Sequence, residues 1–382
     1  MSSDFWTRAG LDEKCQNGKE TCMKAIKELY STLQQECKIE EFTYQGWCSY
    51  TLRVTHQPIN SAHGLKPSRT IANEPQNLTT IVQIRPSRHS LSLSIVAQAK
   101  ETYGTLAPTI HRLPVNLPAN LKAFAMNLLP GIPASAIPFP PSTKQTTPSP
   151  QRITLITSLA KALAATWPSS PSKPSIQTPS SPQRPRADSP ISSGPVYLTP
   201  CTGPVGSQIL PKLHTLSRSL PSPGLRAKAA ETLTAVLNVS DTYPTVLNHG
   251  DLIPSNILVD PRTHELTGLV DWAEAEVLPF GVCFYGVDRL LGEVVYSDAE
   301  DGRERVFRYA GDAEVLREVF WDTLTRERAE VRKWEDEIRV MRDVGVLLWC
   351  GFAWDGGKID RVVEEGADGE EVACLRAFLG VG

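Results

Sequence analysis

Leu247-Asn248-His249-Gly250-Asp251-Leu252-Ile253-Pro254-Ser255-Asn256-Ile257-Leu258-Val259-Asp260, answered by Leu269-Val270-Asp271-Trp272, is the stretch from which the fold can be read. Residues 256–259 form a short apolar run, the signature of a strand. Pro261-Arg262-Thr263-His264 is turn chemistry, and residues 266–270 are apolar again. Two strands around one turn predict a hairpin whose centre falls between Thr263 and His264. Antiparallel pairing then brings Asn256 and Asp271 side by side at its open end. An amide oxygen beside a carboxylate suits a hard, oxygen-seeking cation such as Mg²⁺. Asp251, on the loop entering the first strand, is placed to accept a proton from a substrate hydroxyl. Base, amide and second carboxylate in this order are the parts that phosphoryl transfer from a nucleotide requires. Any one of the three alone reads equally well as a cap or turn residue. His249 reads as a hydrogen-bonded support of the loop.

His249-Gly250-Asp251 through Asn256, then Asp271-Trp272-Ala273-Glu274-Ala275 and Pro279-Phe280-Gly281, resembles the aminoglycoside phosphotransferase and choline-kinase-like family, its fungal members above all. The resemblance is dense over residues 204–295 and faint over 40–135. It implies an α+β, protein-kinase-like two-lobed fold with a small β-rich N-terminal lobe and a larger, mainly helical C-terminal lobe. It implies transfer of the ATP γ-phosphate to a small-molecule hydroxyl, with ATP and Mg²⁺ as cofactors. Asp251 would be the catalytic base, and Asn256 and Asp271 the metal ligands. The motifs are specific to the superfamily and leave the acceptor open.

Composition agrees. A chain of 382 residues can form two sizeable cores. Hydrophobic content of 41% and charged content of 21% are those of an ordinary globular protein. A net charge of −3 does not suggest a nucleic-acid partner. The first residues lack a secretory pattern and no apolar run approaches the roughly 20 residues that span a bilayer, so a cytoplasmic protein without membrane contact is expected. The eight cysteines form no CxxC pair, so reduced thiols are expected and a zinc site is not.

Three domains follow: a helical extension over 1–40, an N-lobe over 41–130, and a C-lobe over 131–382. The C-lobe contains a Ser/Pro-rich insertion, 168–195, whose composition predicts disorder. In the N-lobe, residues 42–54 read as strand, turn and strand around Gly46, a candidate phosphate-covering turn and equally an ordinary hairpin. Residues 79–85 form a β-branched strand ending at Arg85, the candidate phosphate-pairing cation in place of the lysine the fold would carry. The following helix, 91–103, should present an acid to that cation near its start. Its first acid is Glu101, near its end. Residues 121–129 read as a strand and hinge, with Met126 and Asn127 as candidate adenine contacts. The absent acid and the lone Gly46 motivate a second reading, a nucleotide-binding pseudokinase with little or no activity. Glu274 and Glu276 are read either as binders of a cationic acceptor or as surface acids. The charge-rich run 303–346 is read as solvated helices.

Overall fold

The computed structural model describes residues 5–8, 18–32, 37–56, 79–138, 146–168, 194–297, 304–355 and 360–381. Most of the Ser/Pro-rich run 168–195 therefore lies outside the described residues. The chain divides into two compact units, Met1–Pro130 and Gly131–Gly382.

The first unit contains helices α1 (Phe5–Arg8) and α2 (Gly18–Thr32) and strands β1 (Cys37–Glu41), β2 (Tyr50–His56) and β3 (Thr79–Arg85). Helix α3 (Leu93–Tyr103) follows, then β4 (Ile110–Arg112) and β5 (Lys122–Asn127). The five strands form one antiparallel sheet in the order β1-β2-β3-β5-β4. Its core follows from side-chain periodicity. Tyr50, Leu52 and Val54 alternate along β2, Val82 and Ile84 along β3, and Ala123 and Ala125 along β5. All pack with Cys22, Ile26 and Tyr30, which recur every four residues on one face of α2. Among the described residues the helical extension expected over 1–40 is α1 and α2, and it ends before Cys37, which already pairs with His56 as a strand.

The second unit opens with β6 (Ile132–Pro133), α4 (Pro150–Ala165), α5 (Ile209–Ser219) and α6 (Pro223–Leu237). Both α4 and α6 begin Ser-Pro. The Ser149 and Ser222 hydroxyls accept from Arg152 N and Leu225 N, and each proline fills the first helical position, where no donor is needed. The chain continues through β7 (Thr245–Asn248), β8 (Ile257–Val259), β9 (Leu266–Leu269) and β10 (Glu276–Pro279) to α7 (Tyr285–Arg289). It closes with β11 (Gly292–Tyr296), β12 (Arg305–Tyr309), α8 (Ala313–Glu327), α9 (Glu335–Cys350) and α10 (Gly369–Leu379). Three small antiparallel sheets result: β6-β8-β9, β7-β10 and β11-β12.

The run 303–346 departs from the reading as solvated helices. It starts with a strand, β12, and α9 is the buried centre of the helical layer against α5, α6, α7 and α10. From Val344 to Leu348 every residue of α9 is buried, so its charged first turns hide an apolar second half. Helix α4 is fastened to α8 by a buried fork in which Arg152 Nε and Nη2 donate to Asp312 at 2.8 and 3.0 Å. No helix among the described residues is long and apolar enough to cross a membrane. The seven described cysteines are free thiols.

Candidate active site

The predicted hairpin is present as β8 and β9, with a turn over 260–265. Ile257 pairs with Leu269, Leu258 with Gly268 and Val259 with Leu266, so Thr267 is an extra residue bulged out of the ladder. This shifts the register by one. Asn256 lies opposite Val270, whose N–H donates to Asn256 O at 3.0 Å, and Asp271 is the next residue along. The pairing of Val259 with Leu266 centres the turn between Arg262 and Thr263, one residue before the expected centre, and the bulge recovers one of the two positions by which Asn256 would otherwise miss Asp271. Asp271 then takes a left-handed conformation, φ 64° and ψ 65°, which aspartate tolerates better than most side chains. That kink ends β9 and leads into the short turn over Trp272–Glu274.

The loop after β7 is braced from beneath. His249 is fully buried; its Nε2–H donates to Val270 O at 2.9 Å, and its Nδ1 accepts from Asp251 N at 3.3 Å. One imidazole thereby ties the loop to the end of the hairpin. Burial holds it neutral by lowering its pKa to about 4, despite the nearby charge of Asp271. Gly250 has φ 78°, and a Cβ there would stand 1.9 Å from Glu274 O. Only glycine allows the loop and the 272–274 turn to press together. On the other side, Leu252 N–H donates to the Tyr285 hydroxyl at 3.2 Å, and the Tyr285 ring stacks on Trp349.

Three of the residues singled out from sequence meet here. Asn256 Nδ2 donates both to Asp251 Oδ2 at 2.8 Å and to Asp251 O at 2.9 Å. Both bonds use the amide nitrogen, so Asn256 Oδ1 is not taken up by Asp251. Burial, and next the charge of Asp271, push the Asp251 carboxyl up to about 7; the Asn256 hydrogen bond and the Arg289 charge oppose this. Two carboxylates and an amide oxygen in one electrostatic neighbourhood form a donor set that favours a divalent cation. Among the described residues no three His, Cys, Asp or Glu side chains form a metal cage. Mg²⁺ characteristically takes only one or two protein ligands and completes its shell with phosphate and water, so the residues present fit it.

The remaining candidates lie in the first unit. Arg85 is fully buried at the end of β3, where Nε donates to Gln83 Oε1 at 3.1 Å and Nη1 to His89 O at 3.2 Å. Helix α3 has no acid in its first turn. Gly46 lies in the β1–β2 turn, which the Gln45 amide closes by donating to Phe42 O and Thr51 O. Met126 is buried in β5 between Ile81 of β3 and Ile110 of β4, and the exposed Asn127 accepts from Thr109 N through Oδ1.

Sequence reasoning missed several residues that shape the second unit's site. Glu276 is neither an acceptor ligand nor a surface acid: it is buried, and its two oxygens accept from Val205 N at 3.0 Å and Gly206 N at 2.8 Å. Through the pairing of Glu276 with Asn248 it joins the 201–206 loop to the strand carrying His249 and Asp251. Tyr285 and Arg289 of α7 also escaped notice, since their partners lie 33 to 61 residues away along the chain.

The family model described as a phosphotransferase enzyme family matches residues 122–282, which include Asp251, Asn256 and Asp271. Among solved structures, the aminoglycoside phosphotransferase APH(4)-Ia is similar with a TM-score of 0.50 and 11% identity, over 95% of this chain and 99% of that one. A macrolide 2'-phosphotransferase type I gives a TM-score of 0.41 at 15% identity over 94% and 96% of the two chains. A Plasmodium vivax ethanolamine kinase gives 0.40 at 11% over 91% and 81%. No curated protein sequence matches significantly. The antiparallel sheet of the first unit and the helical second unit are thus a protein-kinase-like α+β fold. Over residues 122–282 the chain is similar to the phosphotransferase enzyme family.

Proposed function

We propose that this chain is an ATP- and Mg²⁺-dependent phosphotransferase that moves the γ-phosphate to a hydroxyl of a small molecule. The observation that carries the reading is the Asp251–Asn256 hydrogen bond with the Asp271 charge beside it, on a loop and hairpin that match the family. Asn256 Oδ1 and Asp271 would hold Mg²⁺, which when bound supplies charge neutralisation for the phosphates. Positive charge held there favours the ionised form of Asp251, whose free carboxyl titrates near 7. Asp251 then orients the acceptor hydroxyl and takes its proton as the new O–P bond forms. His249 and Tyr285 act through the loop, fixing its backbone on both sides of Asp251. For the first unit the reading assigns nucleotide contacts to Arg85, to the turn at Gly46, and to the backbone of Met126 and Asn127. Catalysis on this arrangement is positioning and electrostatics.

The test is phosphate transfer from ATP across a panel of hydroxylated metabolites, read by mass spectrometry. Asp251→Asn should lower turnover by roughly 10²–10⁴-fold, the span of general base catalysis, while Mg-ATP binding persists. Mg-ATP binding with no transfer to any acceptor would leave a silent nucleotide-binding module; no binding would end both readings.

A further inference from the structure

Arg289 ends α7 in a setting that its chain neighbours do not neutralise. The adjacent acid, Asp288, is buried and already engaged: it accepts from Arg342 at 2.6 and 3.1 Å, from Arg317 at 3.3 and 3.4 Å, and from the Tyr309 hydroxyl at 3.0 Å. Arg289 has instead a thiol, a ring and a distant acid. Its Nη2 donates to Cys350 Sγ at 3.6 Å, and its guanidinium carbon lies 6.0 Å from the centre of the Phe378 ring. The nearest carboxylate in an ion pair with it, half-exposed Glu370, is 4.0 Å from Nη1 and closer, at 3.4 Å, to Arg305. Its Nε is buried and has no hydrogen-bond partner among the described residues. A guanidinium has five donors in a planar fork, and leaving them underused away from water is costly.

This cation faces a concavity of about 410 Å³. Pro254, three residues after Asp251, lines it on one side. The β11–β12 hairpin lines the other with Val294, Val295, Tyr296 and Phe307, together with the charged Glu293 and Arg305. The charge of Arg289 also reaches Asp251, so cation and proposed base share one electrostatic neighbourhood.

We infer that this concavity is the acceptor subsite and that it selects a hydroxylated carboxylic acid, whose carboxylate takes the Arg289 fork while its apolar body lies along the β11–β12 hairpin. The inference rests on the phosphotransferase reading above. A carboxylate matches the guanidinium plane two bonds to two. The valine and aromatic side chains of the hairpin favour a hydrocarbon body over a polyhydroxylated one. The hydroxyl end then points along the 251–254 loop. In the transfer step the hydroxyl oxygen bonds to the γ-phosphorus, the bond from phosphorus to the bridging oxygen of ADP breaks, and the hydroxyl proton passes to Asp251. The exposed Glu293 at the rim, with Glu370, is the feature a cationic acceptor would use instead.

The experiment uses the full chain with Mg-ATP and a set of hydroxy acids, each beside its methyl ester and the corresponding amino alcohol. We expect kcat/KM for the acid to exceed that for its ester by about tenfold or more, the scale of one charge-assisted pair. Arg289→Gln should collapse that ratio. Glu370→Gln, a half-exposed position that does not endanger folding, should lower KM for the acid by releasing Arg289, and leave the ester's KM in place. Binding of the acids is followed separately by ligand-observed NMR. Acid binding that depends on Arg289 and Glu370 supports the subsite even where no transfer occurs, in which case the phosphotransferase reading alone falls. Preference for the ester or the amino alcohol, or no acid binding while other acceptors are phosphorylated, overturns the subsite and leaves that reading intact. Absence of acid binding with no transfer to any acceptor overturns it too.

Discussion

Gly250 shows how tightly single residues are held at this site. Its φ of 78° is strained for any other L-residue, and a Cβ would meet the backbone carbonyl of Glu274, which has little room to yield. Gly250→Ala should therefore destabilise the chain by more than about 2 kcal/mol, measured by urea denaturation. A midpoint within error of the wild type would show the loop and turn to be independent. His249 gives a pH signature. Its folded pKa of about 4 lies below the ordinary 6.5, so folding favours the neutral ring. The resulting stability is fully present above pH 6.5 and is lost as pH falls through about 4; it amounts to roughly 3 kcal/mol for this shift. Asp251, raised to about 7, acts with the opposite sign over that window, so the readout is the difference in urea midpoint between the wild type and His249→Gln, which should change as pH falls from 6.5 to 4 in metal-free buffer. At this scale the sequence was informative. Asp251 could be assigned to the loop that enters the strand at Asn256 because only five residues separate the two, although their hydrogen bond was not foreseen. The Glu276 tether spans about seventy, and no local pattern announces it.

At the level of elements, chain-local signals decided what was legible. Strand β3, with its β-branched run, and the β8–β9 hairpin, with its turn residues, were readable because each carries its own period or punctuation. The bulge at Thr267 was not, since a bulge alters the count without altering the composition. The β11–β12 hairpin was missed because its strands mix arginine, glutamate and valine without clean alternation. Helix α9 was misread from its charged start. What holds these elements together is a junction at Asp288, where α7, β12, α8 and α9 converge through Tyr309, Arg317 and Arg342. Arg342 extends it to α10 by donating to Phe378 O at 2.6 Å. Asp288→Asn keeps the shape and removes the charge, leaving two guanidinium groups facing a neutral amide. We expect a loss of roughly 3–5 kcal/mol, the cost of breaking a buried pair on one side, read from the urea midpoint. A loss below about 1 kcal/mol would mean that water compensates the arginines.

For the whole molecule, fold class was legible further than function. The α+β, kinase-like architecture was legible through the family resemblance that one motif stretch carries. The acceptor did not follow, because the residues that line its candidate pocket come from the 254 loop, α7, β11, β12 and α10, segments joined only by folding. Ligand linkage tests the reading at this scale. Mg-ATP at about a hundred times its Kd should add roughly 2.7 kcal/mol to the stability of the form that binds it, visible as a rise in Tm that EDTA reverses. A Tm indifferent to Mg-ATP would remove nucleotide chemistry from consideration. The separate sheets have one more consequence. The strands of the hairpin that walls the pocket pair only with each other, while Asp251 follows a strand of the β7–β10 sheet and Asp271 follows a strand of the β6-β8-β9 sheet. The proposed acceptor wall and the proposed catalytic loop thus belong to separate sheets. If the proposed subsite holds, grafting a different β11–β12 hairpin should exchange the acceptor while transfer from ATP persists.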